Sequence, residues 1–487
     1  METTIKKIQS VSGIDNVVYL VSDTQYISSS FLSGSELKYI EKQRKEHKRD
    51  LIWFNKVSKW VFIQFINEKE KNKAKKLESL RRSGSKIVEL LNQGKEEKIT
   101  VSDLEGKTEA LLALVEGMAL SNYQFLKYRK KDRDKSKNSL KSIHLHSVRL
   151  EDGDLERIKT VVEANYFARD LVNEPVIYLT ATKLSEEIKQ KGEKVNLKVD
   201  VFNKKKIESL KMGGILAVNQ GSVDPPTFTV MEWKPEDAVN SKPIVFAGKG
   251  VVYDTGGMNL KIQDYMNDMK MDMAGAAAVA GAMYAAAIAR LPVHVIGLIP
   301  ATDNRTHGNA IVSGDVITIS NGNTVEVINT DAEGRLILAD ALCYAKKYNP
   351  ALVIDLATLT GSAMRAIGTH GMVGMHVKAE RDFKELLKSG LNVHERIAEF
   401  PMWEEYDEEL KSDIADIKNL GGPNAGAIAA AKFLTFFTAY PFIHLDIAGP
   451  AYLDKKDAYR GKGATGIGVR LLFDFMDHLA EKKQAKK

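Results

Sequence analysis

The sequence predicts an α/β protein of two domains: a smaller, variable N-terminal α/β domain, and a larger one whose mostly parallel sheet is covered by helices. Three observations predict it. Short continuous apolar runs alternate with stretches of helical periodicity, the pattern of strands buried on both faces. At 487 residues the chain exceeds the roughly 100–200 residues of one domain. Charge also changes along it: residues 1–150 carry 30 basic and 19 acidic side chains, the remainder 40 and 45. The expected boundaries are 1–150 for the first domain, 151–174 for a connecting helix and 175–487 for the second.

In the first domain, residues 17–21 and 60–66 are β-branched and aromatic runs of strand length. Residues 77–91 and 104–120 space their apolar side chains as helices do. Residues 127–141 are dense in Lys, Arg, Asp, Asn and Ser and read as an exposed loop. Residues 142–148 alternate as an edge or half-buried strand does. A helix over 154–172 leads into the second domain. There, strands are expected at 214–218, 228–233, 243–247, 293–299, 352–357 and 442–447, with helices such as 336–347 and 427–438 between them. Residues 481–487 read as a frayed polar tail.

Composition excludes several classes. Apolar residues make up 44% and charged residues 28%, which rules out a disordered, collagen-like or disulfide-stapled small protein. Mean hydropathy is −0.24, and no apolar run reaches the ~18 residues of a membrane span. The nearest candidate, 274–289, is mostly alanine and reads as a close-packed core helix. Residues 1–10 lack an apolar core and a small-residue cleavage site, so no leader peptide is expected. The single cysteine, Cys343, cannot pair internally and points to a reducing, cytoplasmic compartment. The surplus of eleven positive charges in the first 150 residues could attract nucleic acid. A solvated lysine-rich face explains it as well, and no nucleic-acid motif accompanies it.

Ligands of parallel α/β sheets bind beyond the carboxyl ends of the strands, so the loops there are the informative places. Three are unusual. After the strand 243–247 come Gly248-Lys249-Gly250, then Asp254-Thr255-Gly256-Gly257, then Lys261. The G-x-x-x-x-G-K-S/T spacing of a phosphate loop is absent. The second, Met269-Lys270-Met271-Asp272-Met273-Ala274-Gly275, sets one carboxylate at the start of the alanine-rich helix; alone, it reads as a first-turn carboxylate favoured by the helix dipole. The third is Asn329-Thr330-Asp331-Ala332-Glu333-Gly334-Arg335-Leu336. In extended backbone Asp331 and Glu333 project to one side, and Gly334 permits a sharp turn that returns Arg335 towards them. Alone, it reads as a capping turn with a surface Asp-Glu-Arg cluster.

Together these loops supply Asp254, Asp272, Asp331 and Glu333. Four carboxylates converging at one end of a sheet repel one another unless divalent cations neutralise them. Ligation without Cys or His suits Mg²⁺, Mn²⁺ or Zn²⁺. Four carboxylates exceed the need of one catalytic ion and suit a pair of ions roughly 3.5–4 Å apart.

The motifs closely resemble those of the leucyl aminopeptidase (cytosol aminopeptidase) family of dinuclear metallo-exopeptidases. The octapeptide 329–336 matches the family signature residue for residue. Further matches are Gly248-Lys249-Gly250 with Asp254, Lys261, 269–275, 355–361, 412–419, 444–449 and 463–466. The resemblance covers about residues 165–473 and leaves 1–150 as the variable N-terminal domain. It implies that Lys249, Asp254, Asp272, Asp331 and Glu333 ligate two divalent ions per subunit, with Asp254 and Glu333 bridging. Zn²⁺ or Mn²⁺ is expected, with Mg²⁺ a further candidate. Lys261 is implied to stabilise the oxyanion, and Arg335 to hold a bicarbonate acting as general base. Met269, Thr358, Leu359, Gly361 and Ala448 are implied to line the pocket for the N-terminal side chain.

The implied activity is removal of an N-terminal, leucine-like residue from peptides with a free N-terminus, by a homohexamer with no membrane association. DNA binding, known for some members, is supported here by no motif. Thr255, Ala274, Asp303, His307 and 362–365 depart from the common pattern. None is an implied ligand or catalytic residue, so they bear on substrate preference.

Overall fold

The computed structural model describes residues 3–11, 13, 16–27 and 32–484. The chain forms two compact units, Met1–Glu163 with Lys456–Gly461, and Ala164–Lys455 with Lys462–Lys487. Residues 1 and 2 of the N-terminal stretch, and 485–487 of the expected frayed tail, lie outside the described residues. The tail's 481–484 instead complete the helix Val469–Gln484.

The first unit is built on six strands: β1 (Thr4–Lys7), β2 (Val17–Val21), β3 (Leu51–Asn55), β4 (Trp60–Phe65), β5 (Lys98–Asp103) and β6 (Ser142–Ser147). They lie in the order β1-β6-β5-β2-β4-β3. All neighbours are parallel except β3 and β4. β6 has β1 on one side and β5 on the other, so it is an interior strand and not an edge. The expected helix 104–120 starts at Thr108, because the preceding residues belong to β5 and the turn at Gly106 (φ 72°).

The second unit holds a nine-stranded sheet. Its strands are β7 (Lys198–Phe202), β8 (Thr227–Trp233), β9 (Ile244–Gly248), β10 (Gly250–Asp254), β11 (Val295–Asn304), β14 (Leu352–Ala357), β15 (Met372–Val377), β16 (Ile397–Glu399) and β18 (Phe442–Asp446). A small separate sheet comprises β12 (Val316–Thr318), β13 (Thr324–Glu326) and β17 (Ile417–Lys418). The main order is β16-β15-β18-β14-β9-β11-β8-β7, with β10 also on β11. The centre, β18-β14-β9-β11, is parallel, as is β10 with β11. Every residue of β9, β11, β14 and β18 is buried, which explains their continuous apolar runs.

The strand expected at 214–218 is instead part of the helix Gly213–Asn219. A five-residue apolar run does not distinguish a buried strand from a buried helical turn. Here the buried Asp340 supports the helix: its Oδ2 accepts the Ile215 N–H at 2.9 Å, satisfying one of the backbone donors at the helix start.

The alanine-rich segment forms the helix Ala274–Ile288, buried along nearly its whole length against β9 and β14. With the turn before it, this is the stretch among the described residues long and apolar enough to cross a membrane; it is 89% buried within the unit. The helix approaches the sheet to backbone contact: a Cβ on Gly275 would lie 2.0 Å from the Leu356 carbonyl oxygen. Only glycine permits that approach.

Candidate metal centre and active site

The carboxyl ends of the central strands bring the predicted residues together. Lys249 follows β9, Asp254 ends β10, and Thr358 follows β14. Asp272 lies in the short 3₁₀ turn Met269–Met273 ahead of the alanine-rich helix. Asp331 sits in a turn, and Glu333 is the first residue of the helix Glu333–Ala345. The extended Asp331–Glu333 arrangement is therefore corrected: the backbone coils between them, and the helix begins at Glu333 rather than Leu336. Gly334 makes no sharp turn. It lies within the helix and leaves room for Lys249, whose Cε would be 2.4 Å from a Cβ there.

Asp254, Asp272 and Glu333 each offer an oxygen within 4.8 Å of the others', and all three are buried. Lys249 Nζ lies between two of them, 2.6 Å from Asp272 Oδ2 and 2.9 Å from Glu333 Oε1. It also donates to the Thr358 carbonyl at 2.9 Å, while Thr358 Oγ1 donates to Asp272 Oδ1 at 2.8 Å. Lys261 Nζ bridges the other pair, 2.8 Å from Asp254 Oδ2 and 2.5 Å from Asp331 Oδ1. The five implied ligands and Lys261 thus form one connected cluster. Arg335 is also buried, with Nη1 donating to the Asn419 carbonyl at 2.7 Å.

The charges are strained in a telling way. Burial alone would lower the Lys249 pKa, but Asp272, Glu333 and Asp254 outweigh it and raise it. Burial raises Asp272, and burial with the neighbouring Asp254 and Glu333 pushes Asp331 up to about 7. Burial brings Arg335 down to about 10. Four carboxylates face two ammonium groups and one guanidinium, an excess of negative charge. Glu333 Oε2 is buried without a hydrogen-bond partner, and so is Arg335 Nε. An orphaned carboxylate oxygen in an oxygen-rich, negatively charged cluster suits divalent cations.

Of the predicted pocket residues, Thr358 is buried, Met269, Leu359 and Ala448 are half-buried, and Gly361 is exposed. Leu359 N and Ala448 N both donate to Asp446 Oδ1, which brings these two residues together. Met269 begins the turn that carries Asp272.

Several residues that position the cluster escaped sequence reasoning. Asn304, at the end of β11, donates through Nδ2 to Asp254 Oδ1 at 2.9 Å and to the Thr330 carbonyl at 3.0 Å. Asn419 is fully buried; its Oδ1 accepts Ile328 N at 2.8 Å and its Nδ2 donates to the Asn329 carbonyl at 2.8 Å. Asn259 and Thr330 bond to each other. Thr330 and Asn419 fall inside the motifs 329–336 and 412–419, but an asparagine in a loop carries no spacing signal of its own, so the sequence does not assign these supporting roles.

Residues 166–473 match the model of the cytosol aminopeptidase family catalytic domain. The chain belongs to the cytosol aminopeptidase family. It is 50% identical over 329 residues to a probable cytosol aminopeptidase of Chloroherpeton thalassium. That alignment covers 67% of this chain and 63% of the relative, so the chain spans just under two thirds of the relative's length. A probable cytosol aminopeptidase of Chlorobium limicola is 45% identical over 381 residues, 75% of this chain and 74% of that one. Among solved structures, a point mutant of tomato leucine aminopeptidase superposes with a TM-score of 0.85 at 26% identity, over 98% of this chain and 97% of that one. The bottromycin maturation enzyme BotP in complex with Mn gives 0.83 at 28%, over 96% and 100%. The family match encloses every residue of the cluster, from Lys249 to Arg335, together with Thr358 and Ala448.

Proposed function

We propose that the protein is a metal-dependent aminopeptidase that hydrolyses the N-terminal residue, an apolar leucine-like one, from peptides with a free N-terminus. The observation that carries this is the buried Asp254–Asp272–Glu333 cluster, with Glu333 Oε2 unpartnered, inside the family-matched region. Lys249, Asp254, Asp272, Asp331 and Glu333 hold two divalent ions, Zn²⁺ or Mn²⁺, with Mg²⁺ a further candidate. The ions supply Lewis acidity that activates a water and polarises the scissile carbonyl. As a ligand, Lys249 would act through its neutral amine, so binding would require loss of the proton that its carboxylate neighbours otherwise hold.

Lys261 carries positive charge at the edge of the cluster and stabilises the oxyanion that develops on the carbonyl oxygen. Arg335 keeps an unpartnered Nε–H inside the site, suited to a small anion, with bicarbonate proposed as its occupant. Met269, Thr358, Leu359, Gly361 and Ala448 line the pocket for the N-terminal side chain. We read residues 1–150 as the N-terminal domain, 151–174 as the connecting helix and 175–487 as the catalytic domain, in a cytoplasmic homohexamer. Light scattering tests the hexamer: a monomer at micromolar concentration overturns it.

Metal analysis of the purified protein, followed by aminoacyl chromogenic substrates with Zn²⁺, Mn²⁺ or Mg²⁺ added, tests the activity. Turnover of leucyl substrates, lost with a chelator and absent for N-acetylated analogues, is the expected result. No turnover with any metal overturns the reading.

A further inference from the structure

Apart from Met269, the pocket residues come from two different loops, 358–361 after β14 and 447–449 after β18. One buried carboxylate joins them. Asp446, 1% exposed, ends β18 opposite Ala357 of β14. Its Oδ1 accepts Leu359 N at 3.2 Å and Ala448 N at 3.1 Å. Its Oδ2 accepts Thr360 Oγ1 at 2.7 Å. Thr360 Oγ1 in turn accepts Ala363 N at 3.0 Å, capping the helix Gly361–Ile367 that opens with Gly361. Leu359, Gly361 and Ala448 therefore take their places from one side chain.

Thr358 is held differently. Lys249 Nζ binds its carbonyl and its hydroxyl binds Asp272, so the metal side of the loop has its own anchors. The strands below are tied independently by Ile447 N donating to the Ala357 carbonyl at 2.8 Å. Cutting the bonds to Asp446 would loosen the side-chain pocket while leaving the cation cluster its own contacts.

We propose that Asp446 is a specificity-positioning residue: it fixes Leu359, Thr360 and Ala448 relative to one another and so sets the width of the pocket that selects the N-terminal side chain. This rests on the aminopeptidase reading and adds a residue that does not touch the substrate. A pocket discriminates methylenes only while its walls hold still, and each methylene in a hydrophobic pocket is worth about 10-fold or more in kcat/KM. Freed walls close around small and large side chains alike.

The test uses the full-length, metal-loaded protein with leucyl and alanyl chromogenic substrates. Asp446→Ala removes all three hydrogen bonds. It should raise KM for the leucyl substrate about tenfold and cut the leucyl-to-alanyl ratio of kcat/KM by about tenfold. Metal content should be unchanged and kcat should stay within about threefold. Asp446→Asn keeps an oxygen for the two backbone N–H groups and offers Thr360 an amide donor, so it should restore most of the ratio. Thr360→Val, which breaks the third bond together with the helix cap at Ala363 N but leaves Leu359 N and Ala448 N bonded, should shift the ratio in the same direction by less. If Asp446→Ala fails to fold, these two variants carry the test. An unchanged ratio in soluble, metal-loaded variants overturns the proposal, as does equal loss of kcat for both substrates. If the wild-type protein turns over neither substrate, the aminopeptidase reading falls and this one with it. Wild-type turnover with an unmoved ratio sinks only the role of Asp446.

Discussion

Asn259 and Thr330 are locked together by a reciprocal pair of hydrogen bonds. Thr330 N donates to Asn259 Oδ1 at 2.8 Å, and Asn259 N donates to Thr330 Oγ1 at 2.9 Å. Thr330 Oγ1 also donates to the Gly256 carbonyl at 2.6 Å. Asn259 stands two residues before Lys261, and Thr330 one before Asp331, so the clip sets the Lys261–Asp331 contact. Thr330→Val keeps the shape and removes the hydroxyl, leaving the Asn259 N–H and the carbonyl of the buried Gly256 short of partners. A loss of about 1–3 kcal/mol is expected. It should appear as a lower Tm and, because both loops carry site residues, as reduced turnover. A variant with wild-type Tm and turnover would show that the clip is dispensable.

Asp331→Asn should lose bound metal and turnover together. Asparagine is nearly isosteric but carries no charge for a cation. The loop should keep its shape, because Asn419 holds its backbone at Ile328 and Asn329 and the Thr330 clip holds it beside Asp331. Metal analysis and circular dichroism check both halves. A variant with two ions per chain and normal turnover would remove Asp331 from the ligand set.

Lys261→Ala should separate chemistry from metal binding. Losing one oxyanion donor costs about 10²–10³ in kcat. Asp254 and Asp331 lose their shared ammonium and become more negative neighbours for a cation, so metal content should hold or rise. Unchanged kcat would make Lys261 a structural counter-charge only. Loss of metal would make it a ligand or a structural residue.

His478 should couple stability to pH. The hydrogen bond to the Asp474 side chain is the chief cause that raises its pKa from 6.5 to about 9. A folded value above the unfolded one stabilises fully below about pH 6.5, and that gain vanishes as pH rises through about 9. The side chain is 39% exposed, so screening holds the effect under about 1 kcal/mol. His478→Gln should therefore lower Tm at about pH 6 and match wild type at about pH 10. A Tm difference independent of pH would assign the effect to packing.

The sequence was most informative where one physical signal dominates. Residues 243–247, 352–357 and 442–447 read correctly as strands because burial on both faces removes polar alternation. The alanine-rich helix was legible because small residues permit close packing. The site could be collected because its chemistry needs charged side chains beside strand ends. Single-sequence reading failed where two conformations share one pattern: 214–218 is apolar enough for either, and the helix's hydrogen bond to Asp340 comes from more than 120 residues away. It failed again at 331–335, where Glu333 opens a helix rather than extending a strand. The roles of the supporting amides Asn259, Asn304 and Asn419 were not legible, although Asn419 lies in the matched motif 412–419, because each is set by partners distant in sequence.

The floor beneath the site has a thermal consequence. The helix Ala274–Ile288 is mostly alanine and glycine, residues that lose almost no side-chain freedom when ordered. Few of its side chains have rotamers to hop between as temperature rises, so this surface does not soften by side-chain motion. Nor can it be enlarged in small steps: one methyl at Gly275 would meet the Leu356 carbonyl and shift the strand that leads to Thr358. Diversification is thereby channelled into the loops above, where a change of side chain can alter what the protein accepts without moving Lys249.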